Sequence, residues 1–193
     1  MTRRKVVNMN EKISHTIHLA IKHVWLNDLK SDYTNHFLLK EDSLKNAFYF
    51  HLRTRLGEAF LNENHIRIFT EYYVEGERID LVVVEIDPII AEGNYLGDVV
   101  KRVLAVVEMK YKGCFVSDTV FYKDIEKVLS FINSWGSNTS HYIAFLQEKY
   151  FKREEVVNWL SDEQAVTASG KLTELYAYWD EDSDEAVWRV VEY

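Results

Sequence analysis

Apolar positions repeat at helical spacing in four stretches of the chain. In residues 10–30 and in residues 41–61 they recur every three or four positions, which gives each stretch one apolar face. Residues 117–133 show the same spacing, and this segment begins with polar residues of the kind that cap helices. Residues 151–164 are also predicted to form an amphipathic helix. The pattern therefore predicts four helices of more than two turns each.

Six other segments are rich in β-branched and aromatic residues, which is typical of strands. They are residues 65–74, 77–86, 99–113, 141–149, 172–180 and 186–193. Glu75 and Gly76 separate the first two, which predicts a tight hairpin. The third is apolar at successive positions in its middle, as expected of a central strand that is covered on both faces. The last two flank an acidic turn and predict a closing hairpin.

The order of these elements predicts an α/β fold with a central mixed β-sheet flanked by helices and a C-terminal β-hairpin. A chain of 193 residues suits one domain. We expect residues 1–40 to form an N-terminal helical extension, residues 41–149 the core, and residues 151–193 a helix followed by the hairpin.

Composition and charge limit the kinds of function that the chain can have. The chain has 23 basic and 31 acidic residues, a net charge of −8, and its acidity is concentrated in residues 151–193. An acidic protein does not bind duplex nucleic acid avidly through charge alone. The single cysteine, Cys114, cannot form an internal disulfide, which favours a reducing, cytoplasmic location. The first twelve residues lack the apolar stretch of a secretory signal, and no run of about 18 apolar residues predicts a membrane span.

Two carboxylates fall within strongly apolar strands. Asp80 lies in the second predicted strand, and Glu108 lies near the end of the third, two positions before Lys110. Because strand side chains alternate, Glu108 and Lys110 share a face. If the two strands are neighbours, Asp80 and Glu108 converge, and two converging carboxylates need a proton or a cation. Oxygen ligands suit Mg²⁺ or Mn²⁺, and the backbone carbonyl of Met109 could complete the coordination.

A plainer interpretation is that Glu108 and Lys110 form a surface pair and that Asp80 lies at a strand edge or bulge. The β-type context of both carboxylates and the helix that follows them favour the site. We therefore treat the three residues as candidate functional residues.

These residues resemble the motifs of the PD-(D/E)XK nuclease superfamily, whose fold is called restriction-endonuclease-like. Residues 78–83 (RIDLVV) are similar to its acidic strand, with Ile79 where the family name has Pro. Residues 106–110 (VVEMK) are similar to its Glu-x-Lys strand, and a helix follows them as in many members. Another helix, which begins at Glu41, precedes the sheet. The resemblance covers about residues 41–149.

The resemblance implies hydrolysis of a phosphodiester bond with Mg²⁺ as cofactor and Mn²⁺ as a substitute. Asp80 and Glu108 would bind the metal together with the Met109 carbonyl, and Glu41 would be an auxiliary ligand, directly or through water. Lys110 would assist the attacking water or stabilise the transition state. These four side chains, from Asp80, Glu108, Lys110 and Glu41, are the catalytic residues that the resemblance implies.

The implied partner is nucleic acid, with DNA as the expected substrate and no membrane. Given the acidic balance, a homodimer or a protein that delivers the substrate would compensate for weak intrinsic affinity. Lys123 and Lys127 could contact phosphate, although we favour a solvated helix face for both.

Two alternatives stay open. The chain could be a catalytically silent nuclease-like fold that acts as a binding or regulatory module through its acidic surface at residues 180–185. It could also be a nucleotide- or RNA-directed phosphodiesterase that uses the same ions, because the sequence contains no motif that would distinguish DNA from RNA.

Overall fold

The structure, a computed structural model, describes residues 2–74, 76–113, 115, 117–135, 138–156 and 158–193. Its helices are α1 (Thr2–His23), α2 (Lys30–Thr34), α3 (Glu41–Glu63), α4 (Thr119–Trp135) and α5 (Asp162–Ala168), and a π-helical turn (Val24–Leu29) joins α1 to α2. Its strands are β1 (Ile66–Val74), β2 (Glu77–Ile86), β3 (Val100–Lys112), β4 (Ser140–Phe151), β5 (Leu172–Asp180) and β6 (Glu185–Glu192). None of these helices has the length and apolar character that crossing a membrane requires.

The six strands form one mixed open sheet in the order of the chain. Strands β1, β2 and β3 are antiparallel neighbours, β3, β4 and β5 run parallel, and β6 returns antiparallel to β5. Parallel neighbours need a crossover, which α4 provides between β3 and β4 and the segment containing α5 provides between β4 and β5. The predicted α/β architecture and the closing hairpin of β5 and β6 are confirmed.

Helices α1 and α3 cover one face of the sheet. Their apolar stripes include Ile17 and Ile21 of α1 and Phe48 and Leu52 of α3, which are buried in one cluster with Val107 of β3. The N-terminal helix therefore packs on the sheet that carries the candidate site. This packing fixes the start of α3 relative to the ends of the strands.

Helix α4 covers the opposite face. Phe121 and Ile125 are buried against Phe145 of β4, and Trp159 and Tyr176 belong to the same second cluster. The aromatic rings are in contact, with 4.3 Å between the ring centroids of Phe121 and Phe145. Since buried aromatic side chains contribute large apolar areas, this cluster fixes α4 above β3 and β4.

The prediction of a helix over residues 151–164 is wrong. The chain there forms a 3₁₀ turn, Arg153–Glu155, the described residues between this turn and Ser161 are irregular, and α5 starts only after Ser161. The backbone N–H of Trp159 donates to the buried carboxylate of Glu174 on β5, with 3.0 Å between nitrogen and oxygen. A helix would engage that N–H within its own backbone, so a tertiary contact overrides the local periodicity.

Other element boundaries differ by smaller amounts. The first helix begins at Thr2, not at residue 10. Gly57 adopts a φ of 76° within α3 and kinks it. In the predicted tight hairpin, Gly76 has a φ of 88°, a conformation that favours glycine. The other hairpin residue, Glu75, and the single cysteine, Cys114, lie outside the described residues.

A buried histidine at the start of β4 makes the stability of the fold dependent on pH. Neither ring nitrogen of His141 has a hydrogen-bond partner among the described residues, and burial, aided by the charge of Lys171, lowers its pKa to about 4. Below pH of about 6.5 the unfolded chain binds a proton that the folded chain does not bind, so stability is lost as the pH falls toward 4. Between roughly pH 7.5 and pH 4.5 this loss amounts to about 2–3 kcal/mol.

Urea denaturation of wild type and His141→Leu at the two pH values measures this contribution. On acidification, His141→Leu should lose about 2–3 kcal/mol less stability than wild type. His15→Gln, a variant of an exposed histidine, should lose as much stability as wild type. If wild type and His141→Leu lost the same amount of stability on acidification, His141 would not be the cause of the pH dependence.

Candidate active site

Three carboxylates lie in one row across the first three strands. The register of β1 with β2 places Glu71 opposite Asp80, and the pairing of Leu81 with Val107 places Asp80 opposite Glu108. The regular pairing skips Glu71, whose φ of 54° lies in the left-handed region. Like charges that face each other across strands are destabilising, so this row requires cations nearby.

Asp80 is buried where the pairing of β2 with β3 ends. Its Oδ2 accepts a hydrogen bond from the backbone N–H of Met109 at 2.7 Å, and its Oδ1 lies 2.6 Å from Nζ of Lys45. The first contact fixes the orientation of the carboxylate. Met109 therefore contacts Asp80 through its N–H, while the role expected for its carbonyl stays a prediction.

Lys45, in the second turn of α3, brings three carboxylates together. Its Nζ lies 2.6 Å from Asp80, 2.9 Å from Oε1 of Glu71 and 3.2 Å from Oε1 of Glu41. Burial lowers the pKa of Lys45, but the hydrogen bonds to Asp80 and Glu71 outweigh burial and raise it above its usual value. The ammonium therefore stays charged. The sequence analysis missed this residue, although its spacing of four from Glu41 at a helix start was a usable signal.

Lys110 lies beside the same group of carboxylates. Its Nζ is 3.0 Å from Oε2 of Glu41 and 3.6 Å from Oδ2 of Asp124 on α4. Burial lowers the pKa of Lys110, but the hydrogen bond to Glu41 and the charge of Asp124 outweigh it and raise the pKa. Lys110 is thus a permanent cation at neutral pH and acts as a hydrogen-bond donor. Asp124 lies on the helix that follows the Glu-x-Lys strand, but the sequence analysis did not assign it to the site.

Helix α4 supplies a third lysine. Lys127 places its Nζ 2.8 Å from Oε1 of Glu108 and also donates to the backbone carbonyl of Arg78. The interpretation of Lys127 as part of a solvated face is therefore wrong, because its side chain reaches back to the sheet. Lys123 is exposed, as expected. The start of α4 is fixed by Asp118, which lies within hydrogen-bond distance of side chains on β3 and β4.

Five carboxylates and three lysines thus lie together at one end of the sheet. We call them the carboxylate–lysine cluster, which consists of Glu41, Lys45, Glu71, Asp80, Glu108, Lys110, Asp124 and Lys127. All four side chains that the resemblance implies are members. Contacts through Lys45, rather than direct contacts between carboxylates, connect Glu41 with Asp80 and Glu71.

Negative charge exceeds positive charge within this cluster. The side chain of Glu108 is 3% exposed, and burial followed by the charge of Asp80 raises its pKa to about 8 despite the opposing effect of Lys127. Burial also raises the pKa of Asp124, and the charges of Asp80 and Glu41 add to that effect against Lys110 and Lys127. A proton or an added cation beside these two carboxylates would offset the cost of their burial and the repulsion from their acidic neighbours.

The donor atoms of the cluster fit a hard divalent cation. Carboxylate oxygens are the ligands that Mg²⁺ and Mn²⁺ prefer, and the charge on Asp80 that raises the pKa of Glu108 is of the kind such an ion would neutralise. In the described ranges, no three Asp, Glu, His or Cys side chains are placed to hold a metal ion together. Lys45 lies between Asp80 and Glu41, so these two carboxylates are joined by an ammonium.

The acidic segment between β5 and β6 has partners within the chain at two positions. Asp180 is buried and accepts from Nε of Arg153 at 3.0 Å, and Asp184 accepts from the hydroxyl of Tyr150 at 2.7 Å. The positions between them are exposed. The segment thus forms a locally fixed turn.

Comparisons with protein-family models, with curated proteins and with solved structures give no match. The functional argument therefore depends on the chemistry of the carboxylate–lysine cluster.

Proposed function

We propose that the chain is a Mg²⁺-dependent nuclease of the PD-(D/E)XK type with a restriction-endonuclease-like fold, and that it hydrolyses phosphodiester bonds in nucleic acid, with DNA as the preferred substrate. The observation that supports this most directly is the position of Asp80 opposite Glu108 at the end of the β2–β3 pairing, with Lys110 two residues farther along β3. Carboxylates can hold a divalent ion, and a neighbouring lysine can stabilise the charge that develops on a phosphate, so this arrangement is compatible with hydrolysis assisted by a metal ion.

Four residues of the cluster have defined roles in this proposal. Asp80 and Glu108 hold the ion, with Glu41 as an auxiliary ligand. When bound, a divalent ion supplies positive charge beside the phosphate and lowers the pKa of water. Because Lys110 keeps its proton, it donates hydrogen bonds to the attacking water or to the phosphate oxygens and does not act as a base. Hydrolysis breaks one P–O ester bond and forms one P–O bond to the oxygen of water.

The charge of the chain bears on how the substrate is held. A net charge of −8 gives weak intrinsic affinity for a polyanion. We infer that a second copy of the chain or a protein partner contributes the missing positive surface. The single cysteine favours action in a reducing, cytoplasmic environment.

A calorimetric Mn²⁺ titration tests the proposed metal site without knowledge of the substrate. We expect wild type to bind Mn²⁺ and Asp80→Asn to bind at least about tenfold more weakly, since even indirect partners of a metal change its affinity by that factor. Glu108→Gln should give the same loss. Both substitutions keep the shape of the side chain and remove its charge.

Glu85→Gln is the matched control. Glu85 lies on the same strand as Asp80, but it pairs with Lys101 and Arg102 away from the cluster, at 2.7 and 2.6 Å. Its replacement should leave Mn²⁺ affinity unchanged. If wild type bound no Mn²⁺ in the presence or absence of DNA, the nuclease proposal would be rejected in favour of the binding-module alternative.

A further inference from the structure

We propose that Lys45 is a built-in counter-ion of the carboxylate–lysine cluster, which a divalent ion must displace from Asp80, so that Lys45 sets the metal affinity of the site. This inference rests on the proposed metal site and adds a residue that no part of the sequence motif contains. It assigns to α3 a regulatory contribution in addition to the auxiliary ligand Glu41.

The contacts of Lys45 carry the argument. An ammonium group has three donors, and this one has three carboxylates within 3.2 Å, supplied by α3, β1 and β2. The shortest of these contacts, 2.6 Å, is to Asp80. The side chain is 9% exposed, so the interaction is weakly screened by water. A cation thus already lies against the carboxylate to which the metal should bind.

The other two lysines of the cluster do not occupy that place. Lys127 pairs with Glu108, and Lys110 pairs with Glu41 and lies near Asp124. Only Lys45 has an ion pair with Asp80 among the described residues. The ammonium of Lys45 is therefore the side-chain charge that would repel a divalent ion at Asp80 most directly.

Two of the three carboxylates allow Lys45 to move. Glu41 and Glu71 are more exposed than Asp80, and each keeps a second cationic partner, Lys110 and Arg78 respectively. The ammonium can leave Asp80 and remain paired with Glu71, which is not among the proposed metal ligands. Metal binding and the Lys45–Asp80 contact are thus mutually exclusive states of one site, and the affinity for metal is lowered by the stability of the contact.

The test compares Mn²⁺ binding by wild type, Lys45→Met and Lys45→Arg in calorimetry. Lys45→Met keeps the aliphatic stem and removes the charge, so its dissociation constant should fall by about tenfold or more, within the range of coupling between two competing ligands. Lys45→Arg keeps the charge and should bind about as weakly as wild type. Without metal, Lys45→Met should melt at a lower temperature than wild type, and Mn²⁺ should raise its melting temperature by a larger amount.

The double variant Lys45→Met/Glu71→Gln protects the test against misfolding. It removes one positive and one negative charge, so the net charge of the cluster is the same as in wild type. It should also bind Mn²⁺ more tightly than wild type. Unchanged or weaker Mn²⁺ binding in both Lys45→Met proteins would overturn the inference, because Lys45 would then orient Asp80 for the metal and not compete with it.

The outcomes separate this inference from the proposed function. If wild type binds Mn²⁺ through Asp80 but the Lys45→Met proteins bind no tighter, the metal site stands and the competition is rejected. If wild type binds no Mn²⁺ with or without DNA and Lys45→Met does, the competition is supported and the nuclease function of wild type is rejected. If no variant binds Mn²⁺, both the metal site and the competition are rejected.

Discussion

Replacing Lys110 by methionine is expected to slow phosphodiester cleavage by at least about a hundredfold, the effect of removing one donor that stabilises charge in a transition state. The reason lies in its surroundings. The hydrogen bond to Glu41 and the charge of Asp124 keep the ammonium protonated, so it supplies a fixed positive charge where the phosphate would accumulate negative charge. Methionine preserves the apolar stem and removes only this charge. Cleavage of duplex DNA, single-stranded DNA and RNA in Mn²⁺ provides the measurement.

Binding of Mn²⁺ separates a catalytic loss from a structural one. Lys110→Met should bind Mn²⁺ at least as tightly as wild type, because it removes a positive charge beside the carboxylates. Lys123→Met, on the exposed side of α4, is the matched control and should cleave at the wild-type rate. Cleavage by Lys110→Met at the wild-type rate would show that this lysine has no catalytic role.

The strands could be predicted from the sequence because their burial follows directly from composition. β2 and β3 are apolar at successive positions and are buried on both faces, so their residues could belong only to the middle of a sheet. The same pattern made the carboxylates of Asp80 and Glu108 conspicuous. The α4 helix was predictable for a related reason, because its apolar stripe is sharply defined against charged neighbours.

The lysines that bind these carboxylates were harder to predict. Lys45 and Lys127 lie on surface-covering helices, where a lysine is usually solvated, and only the packing of α3 and α4 on opposite faces brings them to one end of the sheet. Glu71 became relevant only through strand register, which places it opposite Asp80. Apart from the spacing of four between Glu41 and Lys45, long-range geometry of this kind leaves no local signal in one sequence.

Replacing Glu174 by alanine is expected to lower the free energy of unfolding by about 3–5 kcal/mol, the usual cost of removing one partner from a buried ion pair. The side chain is 0% exposed. One oxygen lies 3.0 Å from a guanidinium nitrogen of Arg189, and the other accepts from the backbone N–H of Trp159 and from the hydroxyl of Tyr193. Alanine would remove an ionic partner of Arg189 and leave the Trp159 N–H without its acceptor in a buried environment. Urea denaturation measures the change.

The same carboxylate explains why residues 151–164 do not form the helix that their periodicity predicts. The backbone N–H of Trp159 donates to this carboxylate and cannot also form a helical hydrogen bond. Because a buried carboxylate needs hydrogen-bond donors, this contact outweighs the local preference for a helix and holds the segment against β5. Glu174→Gln, which keeps an acceptor of the same shape, should cost less than alanine. Glu126→Ala on the exposed face of α4 should cost close to nothing. A loss below about 1 kcal/mol for Glu174→Ala would mean that the stretch is held by apolar contacts of Trp159 alone.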